Sequence, residues 1–184
     1  ALRHICATHQ ALGCAGVLPT LITDTPEATA KVIAAGIQAI GTPGFLGLHL
    51  EGPHLDPRRH GAHDPVLIRP MSPEDLARLC DAAHALPVLM VTLAPEAVTP
   101  DQIATLSRAG VIVSLGHTDC DYDTARAAFA AGARLATHLF NAMSQMGHRT
   151  PGLVGAVLAS KAQAGLIADG IHVHPAAMRA ALAA

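Results

Sequence analysis

Short apolar runs alternate with helical segments along the whole 184-residue chain, and this alternation limits the folds that are open to it. Each run is bounded by turn residues and is too short for a helix, so it predicts a buried strand. The predicted strands cover residues 17–23, 45–51, 87–96, 111–119, 134–140 and 164–174. Helices are predicted between them, and several begin at a capping residue followed by proline: Thr25-Pro26, Ser72-Pro73 and Thr99-Pro100. Such a strict alternation indicates an α/β protein with a parallel sheet.

The composition supports this fold class and excludes several functions. Apolar residues make up 51% of the chain and aromatic residues only 2%, so the core consists of aliphatic side chains, which suit helices packed on a buried parallel sheet. A net charge of −2 with scattered Lys and Arg lacks the clustered positive charge of a nucleic-acid-binding surface. No apolar run reaches the roughly 18 residues of a membrane span. The four cysteines form no Cys-x-x-Cys pair, and we expect reduced, mostly buried thiols in a cytoplasmic protein.

Polar residues that could bind a ligand or take part in catalysis recur at or just past the ends of the predicted strands. These residues are Glu51, Glu96, His117, His138, Asp169 and His172. In a β/α barrel the carboxyl ends of all strands meet on one face, whereas a doubly wound sheet brings only two or three of them to its switch point. The chain also has no Gly-x-Gly-x-x-Gly or Walker loop. We therefore predict a (β/α)8 TIM barrel that is incomplete in this chain, with about six strands. Residues 1–184 are interpreted as the central part of one barrel domain.

Glu51, His117 and His138 have the pattern of a metal site. A carboxylate at the last residue of a buried strand, such as Glu51, is costly unless something pairs with it. His117 and His138 lie one strand–helix step apart and are expected on neighbouring strands. Two imidazoles and a carboxylate leave an open position for water, as catalytic zinc sites do, and they suit iron about equally well. The alternative is that each residue is an ordinary hydrogen-bonded group at a strand end, with no metal.

Two loops carry further candidates, each with two interpretations. The loop over residues 56–70 is either a solvated flap or a lid whose His63 reaches a substrate. The loop with Asn141 and Arg149 either binds an anion, since a guanidinium donates two hydrogen bonds to a phosphate, or carries only a surface charge. Glu96, next to prolines, is interpreted as a group that braces its turn, and His174 as a helix N-cap.

Several motifs occur together and in a fixed order. They are Leu-Pro-Thr-Leu-Ile-Thr (residues 18–23), Gly-Leu-His-Leu-Glu-Gly-Pro (residues 47–53), Gly-Ala-His (residues 61–63), Leu-Ala-Pro-Glu (residues 93–96), Gly-His-Thr (residues 116–118), Thr-His-Leu-Phe-Asn-Ala-Met (residues 137–143), Arg-Thr-Pro-Gly-Leu (residues 149–153) and Ala-Asp-Gly-Ile-His-Val (residues 168–173). In this combination the chain resembles the N-acetylglucosamine-6-phosphate deacetylases of the amidohydrolase superfamily. The resemblance covers essentially the whole chain.

The resemblance implies a site and a reaction. It makes Glu51, His117 and His138 the ligands of one divalent metal ion, zinc or iron, with a second ion in the full-length protein left open. The residues that match the sugar-phosphate contacts of the family are Ala62, His63, Asn141, Ala142, Arg149 and His172. The implied reaction is hydrolysis of N-acetylglucosamine 6-phosphate to glucosamine 6-phosphate and acetate, with His63 assisting the metal in polarising the acetyl carbonyl. It also implies a homodimer in which Arg149 reaches the phosphate in the partner's site.

Parts of the family pattern have no counterpart in residues 1–184. The catalytic aspartate of the family follows the next barrel strand, beyond Ala184, and neither Asp119 nor Asp169 matches it. The early strand with a His-x-His-type segment and the small β-sandwich are also missing. A chain without the proton-transfer carboxylate should lose about 10²–10⁴-fold in rate. Two alternatives to the deacetylase therefore stay open: another amidohydrolase, such as a cyclic amidase or deaminase, and a non-catalytic fragment that binds metal or sugar phosphate.

Overall fold

The computed structural model describes residues 1–184 as strands and helices in alternation. The strands are β1 (Thr20–Leu21), β2 (Leu48–Glu51), β3 (Leu89–Leu93), β4 (Ile112–Leu115), β5 (Leu135–Ala136) and β6 (Gln163–Ala164). The helices are α1 (Leu2–Ala11), α2 (Pro26–Gln38), α3 (Pro73–Ala85), α4 (Pro100–Arg108), α5 (Tyr122–Ala131), α6 (Gly152–Leu158) and α7 (Pro175–Ala183), and a short 3₁₀ helix spans Pro57–Arg59. None of these helices combines the length and the apolar character that a membrane span requires.

All six strands form one parallel sheet in which they follow each other in chain order. The central pairings are the longest: β2 pairs with β3 from Leu48 opposite Leu89 to Glu51 opposite Thr92, and β3 pairs with β4 over an equal length. Because the order never reverses, the sheet has no switch point of the doubly wound kind. This sequential order is the order of a β/α barrel, and six strands are fewer than the eight of a closed one. The predicted incomplete barrel of the α/β class is confirmed.

Three helices begin at the caps that the sequence predicted. The Thr25 side chain accepts a hydrogen bond from the backbone N–H of Ala28 at 3.2 Å. Ser72 and Thr99 each form a capping box with the residue three positions later, so two of the free N–H groups of α3 and α4 are satisfied reciprocally. In each of the three helices proline occupies the first turn, where its missing N–H costs nothing.

The core is aliphatic, as the composition predicted. Side chains from the central strands, among them Leu48, Val91 and Val113, are fully buried and pack against helix residues such as Ile103 and Leu106. All four cysteines are free thiols; the buried ones are Cys6 and Cys120, Cys80 is half-buried, and Cys14 is exposed. The interior of the sheet is therefore a rigid base from which the strand ends project.

The predicted strand over residues 164–174 is wrong for most of its length. β6 comprises only Gln163–Ala164, and it pairs on one side alone, with β5. The residues that follow form bends, with Gly170 at φ 76° and Ile171 86% exposed. An apolar run becomes a strand only where a neighbouring strand pairs with its backbone, and residues 166–174 have no such neighbour. Asp169 and His172 therefore lie in an exposed turn beyond the end of β6.

Candidate metal centre

Glu51, His117 and His138 converge at the carboxyl ends of β2, β4 and β5. The Nε2 atom of His138 lies 3.0 Å from Glu51 Oε1 and 3.0 Å from His117 Nε2. His117 Nε2 lies 3.3 Å from the same carboxylate oxygen. All three side chains are nearly buried, with exposed fractions of 12% for Glu51, 7% for His117 and 15% for His138. We call these three residues the strand-end cluster.

The spacing of the strand-end cluster fits a small divalent cation. Ligand atoms arranged tetrahedrally at about 2.0–2.1 Å from a zinc ion lie about 3.3 Å from one another. The three donor atoms here are separated by 3.0, 3.0 and 3.3 Å. Two imidazole nitrogens and one carboxylate oxygen are also a donor set that zinc and iron accept. The cluster is therefore a possible metal-binding site made of histidine and glutamate side chains.

The backbone at both histidines is held in an uncommon conformation. His117 has φ 48° and His138 has φ 38°, in the left-handed region that side-chain-bearing residues rarely adopt. Such a conformation costs about 1–3 kcal/mol per residue and clusters at functional sites. It persists at His117 because neighbours hold it: the carbonyl of His117 accepts a hydrogen bond from the Asp56 N–H at 2.9 Å. Both strained residues lie two positions after the end of a strand, so their conformation sets how each imidazole enters the cluster.

The hydrogen bonds of the two rings differ at Nδ1. His117 Nδ1 lies 2.8 Å from the backbone carbonyl oxygen of Arg59. A carbonyl oxygen can only accept, so Nδ1 carries the proton and Nε2 keeps a free lone pair that faces Glu51 and His138. This is the arrangement of a histidine that ligates a metal. Nδ1 of His138 is buried and has no hydrogen-bond partner.

A fourth residue, His63, borders the strand-end cluster. Its Nε2 lies 3.8 Å from Glu51 Oε2, and its ring stands edge-on to that of His117 with 4.3 Å between the ring centroids. The ligand atoms of Glu51, His63 and His117 all lie within 4.8 Å of one another, so they form a second group of three that could hold a metal. His63 is only 5% exposed and is hydrogen-bonded to Thr23. The segment that carries His63 is thus packed onto the barrel and is not a fully solvated flap.

The charges in the site reflect this crowding. Burial opposes ionisation of Glu51, but the adjacent imidazoles of His117 and His138 outweigh it and hold the pKa of the carboxyl well below its usual range. Burial, reinforced by the neighbouring His117, lowers the pKa of His63 to about 4. At neutral pH the site therefore contains an ionised carboxylate and a neutral His63 ring, which is the protonation state that a cation would find.

A network of charged groups surrounds His117, and the sequence did not indicate it. Glu96 accepts a hydrogen bond from Thr118 Oγ1 at 2.6 Å and one from the Asp119 N–H at 2.9 Å, so it braces the segment directly after His117. Burial raises the pKa of Glu96. On the other side, Arg59 donates from Nε to Asp119 Oδ1 at 2.9 Å. The predicted role of Glu96 as a brace agrees with these contacts, but the segment that it braces is the one that follows β4.

The sequence also gave no indication of a polar chain inside the barrel next to the cluster. The ring of His49 bridges Thr20 Oγ1 at 3.0 Å and Thr92 Oγ1 at 2.7 Å. Thr92 Oγ1 and Ser114 Oγ each lie 2.6 Å from Thr137 Oγ1. Thr20, Thr92 and Ser114 come from three different strands and Thr137 directly follows β5, and each looks like an ordinary strand residue in the sequence. The one signal was the position of His49, two residues before Glu51, which places both side chains on the same face of β2.

The other residues that match family contacts lie at varied positions. Ala62 is exposed beside His63, and Ala142 has φ 48°. The buried side-chain nitrogen of Asn141 has no hydrogen-bond partner. Arg149 lines a separate surface pocket of about 400 Å³ that contains none of the strand-end cluster residues. His172 is 57% exposed and is bound to Asp169, so the structure does not bring it into the cluster.

Known proteins similar to the chain carry closely related names. The chain is 42% identical over 183 residues to the N-acetylgalactosamine-6-phosphate deacetylase of Shewanella sp.. The matched region covers 98% of this chain and 46% of that relative. The chain is 41% identical over 180 residues to the N-acetylglucosamine-6-phosphate deacetylase of Danio rerio, in a match that covers 92% of this chain and 45% of that relative. No protein-family model matches the chain. The chain spans about half the length of the curated relatives it matches.

A solved structure has the same fold. It is that of a mutant N-acetyl-D-glucosamine-6-phosphate deacetylase from Mycobacterium smegmatis in complex with N-acetyl-D-glucosamine-6-phosphate. The TM-score is 0.84 at 38% sequence identity, over 92% of this chain and 45% of that one. Sequence and structure comparisons thus agree on the kind of protein that this chain is similar to.

Proposed function

We propose that this chain, which belongs to the family of N-acetylglucosamine-6-phosphate and N-acetylgalactosamine-6-phosphate deacetylases, is the part of such an enzyme that binds the metal. The proposed reaction is hydrolysis of the acetamide of N-acetylglucosamine 6-phosphate to glucosamine 6-phosphate and acetate. N-acetylgalactosamine 6-phosphate is the second candidate substrate, because relatives of both names are about equally similar to the chain. The observation that carries the proposal is the convergence of three donor atoms within 3.0–3.3 Å in the strand-end cluster.

Glu51, His117 and His138 would hold one divalent ion, zinc or iron. When bound, such an ion lowers the pKa of a water molecule towards neutrality and polarises a carbonyl group. The residues of the chain supply the rest. Glu51 contributes the negative charge that neutralises part of the ion, and the Arg59 carbonyl keeps the ligating nitrogen of His117 free of a proton. The catalytic aspartate of the family has no match in these residues, so we propose that turnover requires the remainder of the protein.

We further propose that the sugar phosphate is bound by residues outside the strand-end cluster. The sugar would be contacted by Ala62, His63, Asn141, Ala142 and His172. In a homodimer, Arg149 would contact the phosphate of a substrate bound in the site of the partner subunit. The exposure of Arg149 supports this, because it lies on the surface beside a pocket separate from the cluster. A guanidinium suits a phosphate since its planar fork donates two hydrogen bonds at once. The cytoplasmic location stays a prediction from the cysteine content.

The direct test measures metal content and acetate release of the purified full-length protein. A deacetylase should hold close to one equivalent of zinc or iron and release acetate from N-acetylglucosamine 6-phosphate. Metal binding without acetate release from either hexosamine phosphate would support the non-catalytic alternative. Hydrolysis of a cyclic amide or deamination, without acetate release, would support another amidohydrolase. Metal content below about 0.2 equivalents would contradict the ligand assignment.

The role of Arg149 is tested by substitution and by subunit mixing. Arg149→Ala should lower kcat/KM for the phosphorylated sugar by about 10–100-fold, the effect of losing charge-assisted hydrogen bonds, and leave the unphosphorylated sugar unchanged. Arg149→Lys is the matched control, since it keeps the charge and loses the fork. Equal losses for both sugars would contradict a phosphate role.

Subunit mixing tests whether Arg149 acts across the dimer. A dimer of one Arg149→Ala subunit and one Glu51→Gln subunit contains one complete site if Arg149 reaches its partner. Mixing the two variants should then restore about a quarter of the normal activity, from half of the dimers with one of two sites intact. No restoration would place Arg149 at the site of its own subunit.

A further inference from the structure

Thr23, two residues after β1, lies against the ring of His63. Thr23 is 6% exposed, and His63 is 5% exposed. The backbone N–H of Thr23 donates to His63 Nδ1 at 3.2 Å, and Thr23 Oγ1 lies 2.7 Å from the same nitrogen. The hydroxyl is also in close contact with Gly52, directly after Glu51, where any side chain would collide with it. Thr23 is thus fixed between the glycine that ends the metal-ligand strand and the histidine that borders the cluster.

These contacts determine which nitrogen of His63 carries the proton. A backbone N–H is always a donor, so the nitrogen that it faces must accept. Nδ1 of His63 therefore has no proton, and the hydroxyl of Thr23 donates to the same lone pair. A neutral imidazole with an unprotonated Nδ1 carries its proton on Nε2. The Nε2–H of His63 faces the site, 3.8 Å from Glu51 Oε2, which is too far for a hydrogen bond and leaves the proton available.

The neighbouring ring of His117 has the opposite arrangement. Its Nδ1 faces the Arg59 carbonyl, an obligatory acceptor, so its Nε2 keeps the lone pair. Two rings with centroids 4.3 Å apart thus present a lone pair and an N–H to the same site. Distance alone would admit His63 as a metal ligand with Glu51 and His117. The hydrogen bonds exclude it, because a protonated Nε2 cannot ligate a metal.

We propose that Thr23 is a positioning residue that holds His63 as an Nε2–H hydrogen-bond donor and keeps it out of the metal-ligand set. This role as a donor rests on the proposed function. The carbonyl oxygen of the amide substrate gains negative charge when the amide is attacked, and it would accept a hydrogen bond from the Nε2–H of His63. No proton needs to leave His63 for this, and the bond strengthens as the charge develops.

The first experiment reads the tautomer directly. Nitrogen-15 NMR of the metal-loaded, histidine-labelled full-length protein distinguishes protonated from unprotonated ring nitrogens, and a His63→Gln spectrum assigns the His63 signals. The expected result is a protonated Nε2 and an unprotonated Nδ1 at His63. A proton on Nδ1 would overturn the proposal. Loss of the bound metal in His63→Gln would also overturn the proposal, because it would show that His63 is a metal ligand.

The second experiment removes the hydroxyl and then restores it. Thr23→Val keeps the shape and the backbone N–H, and should lower kcat by about tenfold, the effect of losing one buried hydrogen bond, with metal content unchanged. The His63 NMR signals should shift partly towards a mixture of tautomers, because only the backbone N–H of residue 23 still donates to Nδ1. Thr23→Ser, which keeps the hydroxyl, should return kcat to within about twofold and restore the single tautomer. An unchanged tautomer and kcat in Thr23→Val would contradict a positioning role.

The two experiments separate this proposal from the proposed function. If the wild-type protein releases no acetate from any hexosamine phosphate, the proposed reaction fails. The tautomer of His63 and the metal content of His63→Gln remain measurable in that case, and they decide on the role of Thr23 independently.

Discussion

Two regions of the molecule join histidine to carboxylate, and they differ in what surrounds the pair. In the strand-end cluster, His138 Nε2 lies 3.0 Å from Glu51 Oε1. In the turn after β6, His172 Nδ1 lies 2.6 Å from Asp169 Oδ2. The exposed side-chain fractions are 12% and 15% in the first region but 38% and 57% in the second. The shorter contact is thus the more solvated one.

The difference lies in where each carboxylate finds its partners. Asp169 is satisfied locally, since the side chain and N–H of His172 and the N–H of Ile171 together lower the pKa of its carboxyl to about 2. Glu51 receives its partners from β4 and β5, far away in the sequence. The local turn satisfies its carboxylate without partners from other parts of the chain. The cluster brings ligand atoms from separate strands to one point, where a single cation would contact all of them.

The largest expected effect comes from neutralising each carboxylate in turn. Glu51→Gln removes the charge that balances a divalent ion, so metal content should fall below about 0.2 equivalents and kcat/KM by at least about 10³-fold. Asp169→Asn is the matched carboxylate-to-amide control and should keep its metal. Metal analysis by plasma mass spectrometry, together with acetate release, measures both. Metal loss in Asp169→Asn, or full metal content in Glu51→Gln, would reverse the comparison.

Much of the fold followed from the sequence because its signals are local. The caps at Thr25, Ser72 and Thr99 act within three residues, and the apolar runs end at turn residues. The failure at residues 164–174 has the opposite cause, since whether an apolar run becomes a strand depends on a neighbour that the run itself does not encode.

The site was predictable to a smaller extent. Position at a strand end was enough to bring together Glu51, His117 and His138, because parallel strands align their carboxyl ends. The same argument failed for His172, whose strand does not extend that far. The pairing of Thr23 with His63 joins residues 40 positions apart through a backbone N–H, which has no residue-type signature. Tautomers follow from such contacts, so no sequence pattern could have assigned them.

A buried histidine outside the cluster should produce an acid-sensitive contribution to stability. His54 is 2% exposed, and its Nδ1 donates to the Arg69 carbonyl at 3.1 Å. Burial lowers the pKa of the ring despite the neighbouring Asp75. Because the unfolded chain then binds the proton more readily, the contribution of His54 to stability should be constant above about pH 6.5 and should fall as the pH drops below that value. Urea unfolding of the wild-type protein at a series of pH values measures this dependence.

The His54→Gln variant tests the assignment. Glutamine can still donate to the Arg69 carbonyl but does not titrate, so the decline below about pH 6.5 should become shallower. An unchanged decline would assign it to other groups. An exposed histidine such as that of the Asp169–His172 turn offers no comparable burial, so this test extends the contrast between buried and exposed sites to stability.

The smallest expected effect concerns the ion pair between Arg59 and Asp119, whose side chains are 38% and 31% exposed. It lies beside the cluster in space but resembles the exposed turn in its solvation, and exposed pairs contribute about 0.2–1 kcal/mol. A double-mutant cycle with Arg59→Gln and Asp119→Asn should therefore give a coupling within that range, with metal content unchanged. The Arg59 carbonyl that orients His117 belongs to the backbone and survives both substitutions. A coupling above about 2 kcal/mol would show that the pair is desolvated like Glu51, and that the buried region extends outward to the loop that carries His63.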